Sequence, residues 1–217
     1  MLQRGLPTSS SSVSTSSLSS EDPASPCVDE SSLISPVMQY PNEIVDGFLF
    51  LGNFWQANNA QVIADLGITH IVNMGAITDD RNRFQGVQYL DVEIKDRENV
   101  DIRKEFTHTI AFIQDAAKQT GARVLIHCVQ GVSRSSTIVI WYLMVDTKCT
   151  LSAAYSYVLK RRPLIFPNRG FMEQLMENEK QLYGFESVLP QELDLLQHGL
   201  LPPLDRKGSA LRMSLSA

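Results

Sequence analysis

The architecture of this chain is organised around the segment Val124-Leu-Ile-His-Cys-Val-Gln-Gly-Val-Ser-Arg-Ser135. An apolar strand pattern runs directly into Cys128, and Arg134 follows where a long helical pattern begins. The free backbone N–H groups and the dipole at such a helix start attract anions. Gly131 allows the loop to turn tightly, and the planar guanidinium of Arg134 matches two phosphate oxygens. The stretch therefore predicts a phosphate-binding loop.

Cys128 lies at the start of this predicted anion site. A positive electrostatic field stabilises a thiolate, so we expect the pKa of Cys128 to fall from about 8.5 into the range of roughly 3.5 to 7.5. The thiolate would then attack a phosphorus atom bound above it at neutral pH. A buried structural cysteine is the common alternative, but the spacing of His127, Cys128, Gly131 and Arg134 seldom arises by chance. We interpret Cys128 as a nucleophile.

Strand and helix patterns alternate outward from the loop. Strands are expected at 48–51, 70–74, 87–94 and 124–127, and helices at 54–66, 102–119, 133–147, 151–161 and 170–182. Helix 102–119 places Ile102, Phe106 and Ile110 at the spacing of one buried face. Strands that alternate with helices indicate an α/β layered fold.

Composition excludes several classes of protein. The 217 residues are 43% hydrophobic and 20% charged, which is typical of a globular chain. A net charge of −5 disfavours nucleic-acid binding. The 3 cysteines cannot all pair, which excludes a disulfide-rich secreted scaffold and favours the cytoplasm or nucleus. The longest apolar run, Ile138 to Val145, is too short to span a bilayer, so no membrane association is expected.

The chain divides into three predicted parts. Residues 1–36 contain 13 serines and no apolar periodicity, which predicts a disordered tail. Residues 37–185 are predicted to form one catalytic domain. Residues 186–217 are leucine-rich and are predicted to be a tail. It is either an amphipathic docking segment, an export-signal-like stretch or, as we favour, a partly ordered tail that packs back on the domain.

The motif from His127 to Ser135 matches the HCxxGxxRS signature and resembles the dual-specificity branch of the cysteine-dependent protein phosphatases. The resemblance extends over 39–183 and includes four further segments, namely Leu51-Gly52-Asn53, Gly67 to Asn73, Ala154-Tyr155 with Arg162-Pro163, and Pro167 to Phe171. It implies a twisted, mainly parallel central sheet flanked by helices on both faces. The implied activity is hydrolysis of phosphotyrosine and phosphoserine or phosphothreonine in proteins through a cysteinyl-phosphate intermediate, in a compact, atypical member.

Loss of a serine or threonine alkoxide requires a general acid. Asp91 and Glu93 share a strand face that we expect to point to solvent. Asp96 lies past the strand, on a loop of the kind where catalytic groups concentrate. By resemblance, the family acid follows a Tyr-x6-Asp pattern, which Tyr89 and Asp96 reproduce. We predict Asp96 as the acid, and Asp101 and Glu98 remain alternatives.

The resemblance implies roles for four further residues. Ser135 would help to expel the thiolate when the phosphoenzyme is hydrolysed, although serine also favours helix starts for its own sake. His127 would tune the pKa of Cys128, and Asn168 would brace the phosphate loop. Arg162 would contact a second phosphate or an acidic group of the substrate. Its alternative role is a favourable interaction with the C-terminal end of its helix.

The loop backbone and side chains of Val129, Gln130, Gly131, Val132, Ser133 and Arg134 are predicted to contact the substrate. None of the variable loop positions is basic, which argues against an inositol lipid head group. The expected partner is a phosphoprotein, with protein kinases among the candidates, and no metal or cofactor is expected. A phosphoprotein-binding module with little turnover is the alternative function, and an RNA triphosphatase is disfavoured by the acidic charge. Cys149 is expected to be an inert buried thiol rather than a redox partner of Cys128.

Overall fold

A five-stranded, mainly parallel sheet lies at the centre of the structure. The computed structural model describes residues 39–75 and 83–207, so the predicted tail 1–36 and the end of the leucine-rich tail, 208–217, lie outside the described residues. The strands are β1 (Asn42–Val45), β2 (Leu49–Gly52), β3 (His70–Asn73), β4 (Gln88–Asp91) and β5 (Val124–His127). Their order across the sheet is β1-β2-β5-β3-β4, and only the β1–β2 pair is antiparallel. The loop that carries Cys128 therefore leaves the middle strand.

In the described part of the chain, seven helices connect and cover these strands. They are α1 (Phe54–Ala57), α2 (Ala60–Asp65), α3 (Phe106–Ala117), α4 (Arg134–Asp146), α5 (Leu151–Arg161), α6 (Arg169–Tyr183) and α7 (Leu193–Gln197), with 3-10 turns at Ile102–Glu105 and Pro190–Glu192. Within residues 39–75 and 83–207, no helix is long and apolar enough to cross a membrane.

Alternate residues of β5 face opposite layers of helix. Val124 and Ile126 belong to the larger apolar core, to which α3, α4, α5 and α6 contribute, whereas Leu125 belongs to a smaller core with residues of α1 and α2. This two-residue alternation is the ordinary geometry of a strand that is buried on both faces. The predicted α/β class, a mainly parallel sheet with helices on both faces, is confirmed.

Three predicted elements differ clearly from the observed ones. The helix expected at 102–119 begins as the 3-10 turn Ile102–Glu105 and continues as α3. The single helix expected at 54–66 is two short helices, because the side chains of Asn53 and Asn59 each accept backbone N–H bonds and start a new helix. The strand expected at 87–94 ends at Asp91. The expectation that Asp91 points to solvent is wrong, because its carboxylate accepts from Asn73 Nδ2 at 2.8 Å and pairs with Arg83, and its side chain is only 10% exposed.

The segment after α6 packs on the domain. Val188, Leu193 and Leu196 are buried in the same core as the sheet. The buried carboxylate of Glu179 accepts from the backbone N–H of Leu151 at 2.6 Å and from that of Ser187 at 2.7 Å, which ties this segment to the start of α5. Described residues between 186 and 207 therefore pack against the same core, and the domain boundary at 185 stays a prediction.

Candidate active site

The loop between β5 and α4 is built around Gly131. Its φ of +70° is a conformation that suits glycine, and a Cβ atom there would lie 2.3 Å from the carbonyl oxygen of Gly52. The backbone N–H of Phe54 donates to the carbonyl of Val129 at 3.1 Å, so α1 also holds the loop. The loop therefore stands at the carboxyl end of the central parallel strand, the edge of an α/β sheet where ligands commonly bind.

Cys128 is 2% exposed and lies at the base of this loop. Its Sγ accepts the backbone N–H of Gly131 at 3.2 Å and the hydroxyl of Ser135 at 3.2 Å. Burial by itself raises the pKa of the thiol, but these hydrogen bonds and the charge of Arg134 outweigh it, and the pKa lies below its ordinary value. The loop therefore stabilises the thiolate form of Cys128.

Arg134 is the first residue of α4, with a side chain only 12% exposed. Its Nη1 donates to the carbonyl of Ile94 at 3.2 Å, and its Nε lies 3.6 Å from Asp96 Oδ2. That Nε is buried and has no hydrogen-bond partner among the described residues. A buried donor without a partner is costly, and the guanidinium geometry suits an anion held beside the loop.

Asp96 is the acidic candidate that the tertiary structure brings to the loop. Its Oδ1 accepts from Ser133 Oγ at 2.7 Å and from Asn168 Nδ2 at 2.8 Å. Asp101 instead accepts from the N–H and Nε of Arg103, and this hydrogen bonding lowers the pKa of Asp101. Glu98 is exposed. Of Asp96, Asp101 and Glu98, Asp96 is the carboxylate that accepts a hydrogen bond from a loop residue, Ser133, in the described part of the chain.

Asn168 connects α6 to both sides of the site. Its side-chain oxygen accepts the N–H of Phe171 and so begins α6, while its own N–H donates to Ser133 Oγ at 3.1 Å. Gly170 packs so closely on the acid-bearing loop that a Cβ atom there would lie 2.0 Å from the carbonyl oxygen of Glu98. The side-chain amide of Asn168 therefore holds Asp96, and its backbone N–H holds the loop residue Ser133.

Arg162, which we predicted to contact substrate, is hydrogen-bonded to the loop and to β1. Arg162 is 3% exposed. Its Nε donates to the carbonyl of Gly131 at 2.8 Å, its Nη2 to that of Gln130 at 3.4 Å, and its Nη1 to Asn42 Oδ1 at 2.6 Å. Burial lowers the pKa of Arg162, and the nearby Cys128 thiolate opposes that effect. A guanidinium committed to loop carbonyls positions the loop.

His127 lies beneath the loop, as the last residue of β5. Its imidazole is buried, and Nδ1 is 3.4 Å from the carbonyl oxygen of Cys128. Burial lowers the pKa of His127 to about 4, since a charged imidazole would lose its solvation. The ring is therefore neutral near pH 7 and supports the loop from below.

Cys149 is far from the nucleophile. Cys128 precedes the start of α4, and Cys149 follows its end, so the 13-residue helix separates them by a length of about 20 Å. A disulfide needs Cα atoms within about 7 Å. Burial raises the pKa of Cys149. These findings agree with the interpretation of Cys149 as an inert thiol.

Two residues at the site escaped the sequence analysis. Asn42, on β1, holds Arg162 although 120 residues separate them in the chain, and no local pattern marks that contact. Trp55 is 68% exposed and lines a pocket beside the loop. Two aromatic residues, Phe54 and Trp55, follow the helix-capping Asn53 and were the available signal, but a short helix has no periodicity to show which face it exposes.

A buried thiolate under a glycine-bearing loop, with an arginine at the start of the following helix, defines a cysteine-dependent phosphatase site. The family model described as dual specificity phosphatase, catalytic domain, matches residues 49–181, and the chain belongs to this family.

Individual relatives agree with this family assignment. A probable rhodanese domain-containing dual specificity protein phosphatase from Dictyostelium discoideum is 41% identical over 143 residues, covering 66% of this chain and 30% of that protein. The MAP kinase phosphatase with leucine-rich repeats protein 3 of the same organism is 41% identical over 154 residues, covering 70% of this chain and 17% of that protein. A crystal structure of DUSP15 superposes with a TM-score of 0.61 and 29% identity, covering 72% of this chain and 96% of that one. The chain thus spans less than half the length of these curated relatives.

Proposed function

We propose that this protein hydrolyses phosphotyrosine and phosphoserine or phosphothreonine in proteins through a phosphoenzyme on Cys128. The observation that carries the proposal is the environment of the sulfur, which accepts hydrogen bonds from Gly131 and Ser135 beside Arg134 and has a lowered pKa. A structural cysteine needs no stabilised thiolate. Membership of the dual specificity phosphatase family supports the same activity.

The first step begins with the phosphate seated in the loop. The backbone of Val129 to Ser133 and the guanidinium of Arg134 hold its non-bridging oxygens and stabilise the charge that spreads over them in the transition state. The thiolate then attacks phosphorus, which forms the S–P bond and breaks the bond to the ester oxygen. Asp96 gives its proton to that departing oxygen, and the released product is a protein hydroxyl group.

The second step returns the enzyme to its starting state. Asp96, now ionised, takes a proton from a water molecule that attacks the cysteinyl phosphate, and the S–P bond breaks to release inorganic phosphate. The hydroxyl of Ser135, which already donates to the sulfur at 3.2 Å, stabilises the departing thiolate. The free enzyme again holds a thiolate on Cys128 and a protonated Asp96.

A phosphoprotein is the substrate class that the site supports best. The exposed loop side chains Val129 and Gln130 are neutral, which fits a phosphorylated peptide better than a head group with several phosphates. One relative is named as a MAP kinase phosphatase, which makes protein kinases the first substrates to test. A working thiolate requires a reducing compartment, so we place the activity in the cytoplasm or nucleus.

A phosphoprotein-binding module that turns over poorly is the second candidate. It would need the loop and Arg134 but neither a stabilised thiolate nor an acid beside it. The contacts of Asp96 with Ser133 and Asn168 favour turnover, so we place this candidate second.

The test measures phosphate release from phosphotyrosine, phosphothreonine and doubly phosphorylated peptides, for wild type and Cys128→Ser. We expect release by wild type alone, with the peptides still bound by Cys128→Ser, and a trapped S-phosphoenzyme after acid quench of wild type. Cys149→Ser is the matched control and should retain the activity. Binding without release by wild type would overturn the phosphatase proposal in favour of the binding module.

A further inference from the structure

Exposed apolar side chains are concentrated around the loop. Of nine large apolar residues exposed in the described part of the chain, five lie on or next to segments that touch it, namely Phe54, Trp55, Val129, Leu164 and Phe166. Single exposed apolar residues need no explanation, but a group at one place marks a binding surface.

A pocket opens within this group, on the Gln130 and Val132 side of the loop. It has a volume of about 500 Å³ and is walled by Trp55, Val132, Pro163 and Leu164. Asp96, which contacts the loop through Ser133, is not among the residues that line the pocket. The pocket therefore adjoins the phosphate site without including the acid.

Four of the five polar residues that line the pocket hold the fold, and the fifth, Gln130, is exposed. Arg162 donates to the loop carbonyls and to Asn42. Asn53 and Gln56 bond each other in the capping box of α1, and Gln56 Nε2 donates to the carbonyl of Tyr40. No side chain that lines the pocket other than Arg162 carries a formal charge. An occupant thus meets mainly apolar surface and no charge dedicated to recognising it.

We propose that this pocket, which we call the Trp55 pocket, determines substrate specificity by taking a large apolar side chain of the phosphoprotein, close in sequence to the phosphorylated residue. The inference rests on the proposed function. The volume of the Trp55 pocket falls within the range of known ligand pockets and exceeds what one phosphate needs. Trp55 and Leu164, 68% and 49% exposed, would be covered by that side chain.

The distance from the nucleophile sets the position of this side chain in the substrate. Gln130 follows Cys128 by two residues, which places the pocket wall within about 7 Å of the nucleophile. An extended peptide advances about 3.3 Å per residue, and side chains two residues apart share a face. The apolar residue is therefore expected one or two positions from the phosphorylated residue.

The experiment compares phosphopeptides that carry leucine, phenylalanine, serine or aspartate at each position from three before to three after the phosphorylated residue. The readout is the ratio of kcat/KM for the apolar peptide to kcat/KM for the serine peptide. For wild type, we expect this ratio to be about ten at a single position, which lies one or two residues from the phosphorylated residue. Trp55→Ala should reduce the ratio towards one, and the matched control Leu200→Ala, an exposed leucine elsewhere, should leave it unchanged.

Binding separates the failure of this inference from that of the proposed function. Anisotropy of the same peptides, labelled and mixed with Cys128→Ser, should give the same ranking, and adding Trp55→Ala to that protein should remove it. A flat ranking in both assays, or a ranking that survives Trp55→Ala, would overturn the Trp55 pocket while leaving phosphatase activity intact. No turnover by wild type, with the ranking retained in binding, would overturn the proposed function alone. A preference for aspartate would overturn the apolar occupant.

Discussion

Replacement of Ser135 by alanine removes one hydrogen bond to the nucleophile and leaves the rest of the site in place. The hydroxyl of Ser135 donates to Cys128 Sγ at 3.2 Å, and Ser135 itself is fully buried, so water cannot take its place easily. A hydrogen bond to a charged group contributes about 1.5 to 3 kcal/mol. Its loss should therefore raise the pKa of Cys128.

The magnitude follows from two opposing effects. Each 1.36 kcal/mol is a factor of ten in the thiolate population, so that population should fall by about 10- to 150-fold at a pH well below the midpoint. A more basic thiolate is also more nucleophilic, with a Brønsted coefficient of about 0.4 to 0.5, which recovers roughly half of the loss on a logarithmic scale. The net rate of alkylation should fall by about 4- to 15-fold.

The assay is alkylation of Cys128 by iodoacetamide across a pH series, with Cys149→Ser as the common background. The midpoint of the profile should lie higher in Ser135→Ala than in its parent, and breakdown of the phosphoenzyme should slow. Ser136→Ala is the matched control, because Ser136 is equally buried on α4 but donates to the carbonyls of Val132 and Ser133. An alkylation midpoint that does not move in Ser135→Ala would refute the reasoning.

Three further predictions follow from the contacts of the site. Asp96→Asn should lower kcat on phosphothreonine peptides by about 10²- to 10⁴-fold and abolish the decline of kcat at high pH, with a smaller loss on an aryl phosphate, whose leaving group needs less protonation; equal losses on both substrates would contradict the acid role. Since Arg162 holds loop carbonyls, Arg162→Gln should weaken inhibition by inorganic phosphate and lower Tm. The preference between singly and doubly phosphorylated peptides should not change, and Arg161→Gln is the control. A loss of activity confined to doubly phosphorylated peptides would instead support a contact between Arg162 and substrate. Burial lowers the pKa of His127 to about 4 in the fold, so the folded state loses stability as pH falls below about 6.5. The free energy of unfolding should fall by about 2 kcal/mol between pH 7 and 5. Urea unfolding should show a smaller pH dependence in His127→Gln but not in the exposed His108→Gln, and the same pH dependence in His127→Gln and wild type would contradict this prediction.

Elements set by neighbouring residues were predictable from the sequence. The helix predicted at 151–161 has the same bounds as α5. Its start is predictable because the capping residue Thr150, whose side chain accepts the N–H of Ala153, directly precedes it in the sequence. The strand β5 was likewise found at its observed bounds, because a continuous apolar run before a loop has one interpretation in a parallel sheet. The edge strand β1 was missed, since Asn42 to Val45 has too short an apolar pattern to predict a strand.

The chemistry of the loop follows from its local sequence. Cys128, Gly131, Arg134 and Ser135 lie within eight residues, and the chain geometry of strand, loop and helix start is enough to bring them together. The carboxylate that stands beside them is selected by long-range contacts. Asp96 is fastened by Asn168, 72 residues away, so the choice between Asp96 and Asp101 depends on how α6 packs.

Long-range contacts also decide the positions of Arg162 and of the C-terminal segment, which the local sequence could not predict. Whether an arginine faces the substrate or the back of the loop depends on Asn42, 120 residues earlier. Whether leucines of 186–207 form a free tail depends on a buried carboxylate, Glu179, and on the core already built. Local sequence fixes which groups a segment offers, but burial and long-range hydrogen bonds select their partners, and these exist only once the sheet and helices have packed.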